Sequence, residues 1–332
     1  MTPTIKLLQI LDWDSPRQKA SLREELATGL LRPQASIAPK FFYDALGSRL
    51  FEAITELPEY YPTRTEAAIF SEHLPAICQA LGTDCTLIDL GCGSCAKAGK
   101  LFHAGLRPAR YVAVDISVDF LRDSLQNLKR ELPAIDMTGL GLDFTDELQL
   151  PDDLPLQKRM FFYPGSSIGN FSPPEAGAFL KRLAGQMDTT GGLLIGVDLI
   201  KEKSLLDAAY DDALGVTAAF NRNLLRHVNA RLDADFAVKD WQHVAFFNEA
   251  EARIEMHLEA RRKLDASWPD DATRRIRHFA AGERIHTENS YKYSPEGFRA
   301  LLTEAGYTDI RIWTDPRAWF ALFFARQAAT RT

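Results

Sequence analysis

The chain has 332 residues, with 39 basic and 45 acidic side chains and a formal net charge of −6. That length allows one large domain or two modest ones, and an apolar content of 46% can build a core without disulfides or a structural metal. The acidic balance argues against a general nucleic-acid binder, which needs a basic surface against phosphate.

The N-terminal run MTPTIKLLQILDWDSPRQ is broken early by Asp12 and Asp14 and lacks the basic start and long apolar stretch of a secretory leader. No run of about 18 apolar residues occurs, so no membrane helix is expected and the cytoplasm is the expected location. Residues 18–31 and 64–81 carry helical periodicity. An aromatic, turn-rich stretch from Phe41 to Pro62 separates them.

A strand–helix alternation then begins. Thr86–Leu90 reads as a strand, 96–104 as a helix, Tyr111–Asp115 as a strand and 118–131 as a helix. Asp136–Phe144, Arg159–Tyr163 and Gly192–Asp198 read as further strands, with a helix over 174–187. Near-continuous apolar strands alternating with helices imply a parallel sheet covered on both faces. After Lys201 the pattern changes. Residues 204–232 read as helical, and Val244–Phe247, Arg253–Arg261, Arg274–Phe279 and Glu283–Tyr293 as an antiparallel insertion. A helix over 295–305 leads to Ile310–Trp313 and Trp319–Phe324, a hairpin of the kind that closes Rossmann-like methyltransferase sheets. The expected fold is therefore α/β: a Rossmann-like class I methyltransferase core over 65–200 plus 294–332, and a second, α+β domain over 1–64 plus 201–293.

Asp89-Leu-Gly91-Cys-Gly93-Ser joins the first of these strands to its helix, where glycines permit a sharp turn and close approach of a ligand to the main chain. Asp115 closes the next strand, where a carboxylate can accept from two ribose hydroxyls. The spacing Gly91-x-Gly93-x-x-Ala96 also satisfies a dinucleotide fingerprint, so the loop alone fits either NAD or S-adenosylmethionine. The acid before the first glycine leans toward the latter, and Asp143-Phe144 adds an acid and a ring suited to the edge and face of adenine. Of the four cysteines, Cys92 and Cys95 have C-x-x-C spacing. No second pair completes a zinc site, and the glycine loop explains the segment better.

Several longer motifs resemble the histidine Nα-methyltransferases of ergothioneine biosynthesis. They are Phe42-Tyr43-Asp44, Gly47-Ser48, Leu50-Phe51, Leu57 through Tyr60-Tyr61-Pro-Thr-Arg64-Thr-Glu66, and Gly165-Ser-Ser-Ile-Gly169-Asn170. Further along the chain stand Tyr210-Asp211-Asp212, Gly215 through Asn223, Arg253-Ile-Glu-Met256 and Glu288-x-Ser290. The resemblance runs in order from about residue 40 to 325. It implies that Tyr43, Gly91, Lys97, Asp115 and Asp143 hold S-adenosylmethionine, with Phe144 beside them. It implies that Tyr60, Asn170 and Tyr210 hold the amino-acid end of L-histidine, with Gly165 in the same set. Glu288 and Ser290 would read the imidazole and Met256 would line its pocket. The implied product is trimethylated histidine, hercynine, and the alternative is Nα-methylation of another aromatic amino acid such as tryptophan.

The chemistry asks for little beyond placement. The sulfonium already activates its methyl group, so no metal is expected, and the enzyme must align a neutral amine with the methyl–sulfur bond. The oxygens of Asn170, Tyr60 and Tyr210 can orient that amine, and the rings of Tyr43, Phe51 or Tyr60 suit a methylated cation. Ser290 lies two residues from Glu288, so regular alternation would put both on one strand face. An NAD-linked oxidoreductase and a silent binding protein are the other readings. The seven histidines read as packing or surface groups; His243 and His257 could pair across strands, with no carboxylate at metal-ligand spacing. Asp211-Asp212 reads as a cap for the segment after Tyr210. A monomer is expected, with no nucleic-acid or membrane partner.

Overall fold

A computed structural model describes residues 5–9, 15–145, 148, 150–270 and 273–328. The leader reading rests partly on residues 1–4 and 10–14, including Asp12 and Asp14, which lie outside the described residues. Strand β1 (Lys6–Gln9) is followed by helix α1 (Pro16–Leu31), capped by the Ser15 hydroxyl on Gln18 N at 3.3 Å. A 3₁₀ turn (Pro39–Phe42) precedes α2 (Ala45–Thr55), capped by Asp44 Oδ1 on Gly47 N at 2.6 Å, and then α3 (Tyr61–Leu81). Next come β2 (Thr86–Leu90), α4 (Ala96–His103), β3 (Arg110–Asp115), α5 (Val118–Glu131), β4 (Met137–Gly141), β5 (Arg159–Tyr163), α6 (Pro173–Ala184) and β6 (Gly192–Asp198). Helices α7 (Lys203–Tyr210) and α8 (Val216–Leu232) lead to β7 (Trp241–Asn248), β8 (Arg253–Ala260), β9 (Leu264–Asp270), β10 (Thr273–Phe279) and β11 (Arg284–Tyr291). The described chain closes with α9 (Pro295–Glu304), β12 (Tyr307–Thr314) and β13 (Phe320–Gln327).

The described residues fall into two compact units, one within 1–11, 62–200 and 291–332, the other within 12–61 and 201–290. The first holds an eight-stranded sheet in the order β1-β4-β3-β2-β5-β6-β13-β12. Strands β1 to β6 pair in parallel, and β13 runs antiparallel to both β6 and β12. This is the expected Rossmann-like order with its final antiparallel hairpin. Alternation along the strands sorts the core into two clusters. Ile88, Leu90, Val112 and Val114 pack with Phe179 and Leu183 of α6 and Phe298 and Leu302 of α9. Leu87, Tyr111 and Ala113 pack with Phe70 and Ile77 of α3, Leu101 and Phe102 of α4, and Leu121 and Leu125 of α5. Both faces of the sheet are thus covered, which leaves the strand ends and their loops as places for polar chemistry.

The second unit is α+β. Strands β7, β8 and β11 form one sheet in the order β11-β8-β7, and β9 with β10 forms a hairpin. Phe42 stacks on Phe220 of α8 at 4.5 Å, and Asn223 Nδ2 donates to Asp44 Oδ1 at 2.8 Å, so the α2 cap is itself held by α8. Trp241 and Phe279 meet edge to face at 5.0 Å.

Four features depart from the sequence reading. The segment Lys6–Gln9, expected with the second domain, adds a parallel strand to the main sheet beside β4. The turn-rich stretch contains a whole helix, α2. The single helix expected over 204–232 is two, because Asp212 turns inward to cap α8: its oxygens accept from Val216 N at 2.9 Å and Thr217 N at 2.7 Å. That is the capping role expected of the acidic pair, and it costs the continuity of the helix. Finally, β9 was not anticipated; Pro269 and Asp270 interrupt its pattern, yet it pairs with β10 in full register. Among the described residues no helix is long and apolar enough to cross a membrane.

Candidate functional site

In the first unit the expected cofactor residues gather at the carboxyl ends of β2, β3 and β4. The chain leaves β2 through Gly91 at φ +67°, with Gly91 N bonded to Val114 O at 2.8 Å. A Cβ at Gly91 would meet the Phe144 ring at 3.7 Å, an ordinary contact, so the positive φ rather than crowding calls for glycine here. Phe144 is half-buried and stands edge-on to Tyr163 at 5.7 Å. Asp115 Oδ2 accepts from Gly93 N at 3.0 Å and Oδ1 from Ser117 N at 2.9 Å. Burial pushes its carboxyl above the ordinary range, against the pull of the Ser117, Gly93 and Ile116 amides. The carboxylate is thereby fixed by main chain on both oxygens, with acceptor capacity remaining for a ligand. Strand β4 stops at Gly141, so Asp143 and Phe144 lie in the loop beyond it. Asp143 Oδ1 accepts from Thr145 N at 3.1 Å.

Lys97 and Gly165, expected in different sets, meet on one side chain that the sequence reading assigned no role. Glu66 of α3 is 1% exposed; its Oε1 accepts from Gly165 N at 2.8 Å, and its Oε2 lies 2.5 Å from Lys97 Nζ. A signal was available in the sequence. Ile69 and Phe70 follow Glu66 at helical spacing and are buried, which puts the acid on the core face of α3. Asn170 ends a 3₁₀ turn (Ser167–Asn170) just after Ser166, whose hydroxyl accepts from Asp198 N at 2.8 Å. Asp198 in turn pairs with Lys292 Nζ at 2.8 Å, and both are buried.

Asp89, at the end of β2, is different from its neighbours. Tyr111 donates its hydroxyl to Oδ2 at 2.7 Å, and the buried Oδ1 has no hydrogen-bond partner. Burial pushes its carboxyl up to about 7, although Tyr111 and Lys97 pull the other way. Burial also raises Cys92 well above the usual thiol range, with Cys95 adding to the effect, so the Cys92 thiol is held protonated.

In the second unit the rings of Tyr43, Phe51, Tyr60 and Tyr210 follow one another edge-on, with centroids 6.0, 6.3 and 6.2 Å apart. Tyr210 lies 2.9 Å from Ser290 Oγ through its hydroxyl. Three of the expected substrate residues, Tyr60, Tyr210 and Ser290, are therefore in succession. His243 anchors the same segment: its Nε2–H donates to Tyr210 O at 2.8 Å while its Nδ1 accepts from Asn221 Nδ2 at 2.8 Å. Burial lowers the His243 pKa, which keeps the ring neutral for both bonds. Met256 is buried on β8, its carbonyl 3.0 Å from Thr287 Oγ1.

Two expectations need correction here. His243 and His257 do not pair: His243 faces Leu258 in register, and His257 has a carboxylate after all, with Nε2 3.0 Å from Glu255 Oε2. Donor atoms of Glu255, His257 and His286 lie within 4.8 Å of one another, but Arg253 and Asn248 already engage Glu255. Nor does β11 alternate regularly. His286 Nε2 lies 2.9 Å from Asn289 Oδ1, although residues three apart should face opposite ways. The buried positions of β11 are Ile285, Thr287, Ser290 and Tyr291, and Glu288 is half-buried.

Residues 22–327 match a family described as histidine-specific methyltransferase, SAM-dependent. The chain is 41% identical to the histidine N-alpha-methyltransferase of Mycolicibacterium smegmatis over 328 residues, covering 97% of this chain and 99% of the relative. It is 40% identical to the histidine N-alpha-methyltransferase of Mycobacterium tuberculosis over 319 residues, covering 92% and 94%. Ergothioneine biosynthesis protein 1 of Neurospora crassa is 28% identical over 316 residues, which span 92% of this chain and 35% of that protein.

Proposed function

Since the chain belongs to the family of histidine-specific, S-adenosylmethionine-dependent methyltransferases, we propose that it methylates the α-amine of L-histidine three times, giving hercynine for ergothioneine biosynthesis. The likeness over almost the full length of two histidine N-alpha-methyltransferases carries this reading. The geometry supports it through residues that can hold both reactants.

S-adenosylmethionine supplies an electrophilic methyl group on a sulfonium. Gly91, which carries no side chain beside the Phe144 ring, suits the approach of a flat adenosyl group. Asp115, pinned by two amides, is placed to accept from the paired hydroxyls of a ribose. Asp143 and Phe144 take the edge and face of adenine; Lys97 and Tyr43 complete the donor set. Glycine at 165 and the amide of Asn170 serve the amino acid, as do the phenols of Tyr60 and Tyr210. Their task is to orient a neutral amine, since placement of reacting atoms supplies most of the rate in a displacement of this kind. Each transfer removes an N–H donor and leaves a bulkier cation, which aromatic faces accommodate through cation–π attraction. Glu288 accepts from an imidazole N–H, Ser290 stands near it in the chain, and Met256 supplies apolar lining.

Mass spectrometry of the purified protein with S-adenosylmethionine and each of the twenty amino acids tests the reading. Histidine is expected to gain up to three methyl groups while tryptophan gains none, and Glu288→Ala is expected to narrow that preference. Methylation of another amino acid with histidine left untouched would overturn it.

A further inference from the structure

We infer that Glu66 is a positioning residue that fixes Lys97 and the Gly165 turn together, and so sets the affinity of the protein for its methyl donor. The inference rests on the proposed function for the identity of the ligand, and on the first unit alone for its geometry.

The carboxylate is almost wholly enclosed, and each oxygen has one task. Oε1 takes the N–H of Gly165 at 2.8 Å; Oε2 faces the Lys97 ammonium at 2.5 Å as an ion pair. Lys97 enters from the first turn of α4, directly after the glycine loop, and Gly165 from the turn after β5. One side chain of α3 therefore ties together the loops that follow two neighbouring parallel strands, β2 and β5. Open α/β sheets bind their ligands at such loops.

Two glycines leave room for this carboxylate. A Cβ on Gly196 of β6 would sit 2.5 Å from Oε1 and 3.0 Å from Gly165 N, so a side chain there would displace the carboxylate from the amide. Gly165 itself has φ +80°, and a Cβ on it would lie 3.1 Å from Lys97 Nζ. The two glycines thus make room for one acid–amide–ammonium contact. Lys97 remains about a third exposed at 35%, so its ammonium meets solvent on one side and Glu66 on the other. A positive group steadied in this way can receive an anionic end of a ligand without having to be ordered on binding, which is how preorganisation raises affinity.

The alternative is that Glu66 only stabilises the fold. The two roles separate in a binding experiment. Calorimetric titration of S-adenosylmethionine into the wild type, Glu66→Gln and Lys97→Met is to be paired with steady-state kinetics on histidine. Glu66→Gln retains an oxygen for Gly165 N and loses only the charge facing Lys97. Its donor Kd and donor KM are expected to rise about tenfold, as for one charge-assisted contact, with the histidine KM and kcat within about twofold. Lys97→Met, which also loses the ammonium that meets the ligand, is expected to show at least that shift. The double variant should be about as weak as Lys97→Met alone, because Glu66 acts through Lys97. Donor affinity in folded Glu66→Gln and Lys97→Met equal to that of the wild type would overturn the inference, even if both melt earlier. A wild type that does not bind S-adenosylmethionine would instead sink the proposed function.

Discussion

The two units hold their candidate site residues by different means. In the first, the functional groups are answered mostly by main chain: Asp115 by the amides of Gly93 and Ser117, Asp143 by that of Thr145. In the second they are answered by one another, through the succession of rings from Tyr43 to Tyr210 and the contact of Tyr210 with Ser290. A backbone-held carboxylate depends on a few neighbouring residues and tolerates change elsewhere. A side chain held by other side chains passes the loss of one on to the next.

Asp89, like Lys97 on Glu66, is held by a side chain within the first unit, and it offers the largest effect. It is held by a phenol and has one buried oxygen with no partner. Its carboxyl is raised from 3.8 to about 7, so the folded protein keeps a proton that the unfolded chain releases. The stability this contributes is complete below about pH 4 and is lost as pH rises toward 7. Asp89→Asn removes the titration. The variant is expected to gain on the wild type across that window, by an amount on the order of a few kcal/mol at the top of it. Urea unfolding of both proteins at about pH 4, 6 and 8 measures the gap. His257, held down at about 4 first by burial and then by His286, acts in the opposite sense, but it is present in both proteins and cancels. A gap of constant size would show that burial does not raise the Asp89 carboxyl.

Asp115 probes the rule itself. Asp115→Ala should leave the strand ends in place, because Gly91 N and Cys92 N bond to Val114 O rather than to the carboxylate. The Kd for S-adenosylmethionine is expected to rise by about 10- to 100-fold, the worth of hydrogen bonds to a charged group. The melting temperature is expected to move little. A loss of stability with unchanged donor affinity would mean that the carboxylate serves only to hold the loop.

The same contrast governs what could be read from the sequence. Gly91, Asp115 and the alternation of β2 to β6 are written within short windows, since turn, strand end and apolar run lie next to each other. What escaped depends on distant partners. Strand β1 has only four residues and exists because Lys6 finds Thr138. Helix α2 has its apolar spacing at Leu50, Phe51 and Ile54, but the aromatic and proline-rich flanks hid it, and its cap is secured by Asn223 far along the chain. Glu66 shows its importance only when Gly165 arrives beside it. The contact of His286 with Asn289 on β11 cannot be seen in a string of letters, because period-two reasoning puts residues three apart on opposite faces. Roles in the second unit were therefore legible only through resemblance to whole motifs.

The smallest effect tests the side-chain succession directly. Tyr210→Phe removes the hydroxyl facing Ser290 and leaves the ring against Tyr60. Ser290→Ala removes the other half of the same bond. Each single change is expected to cost about 1 kcal/mol in urea unfolding, the usual worth of one buried hydrogen bond. The double variant should cost less than about the sum of the two, with a coupling of about 0.5–1 kcal/mol. Histidine KM should follow the same pattern, because Tyr210 and Ser290 are each assigned to the substrate and each orients the other. Strict additivity in both measurements would mean that Tyr210 is placed without Ser290, by contacts such as His243 on its carbonyl and the Tyr60 ring. The second unit would then resemble the first, with its site residues held from the backbone outward.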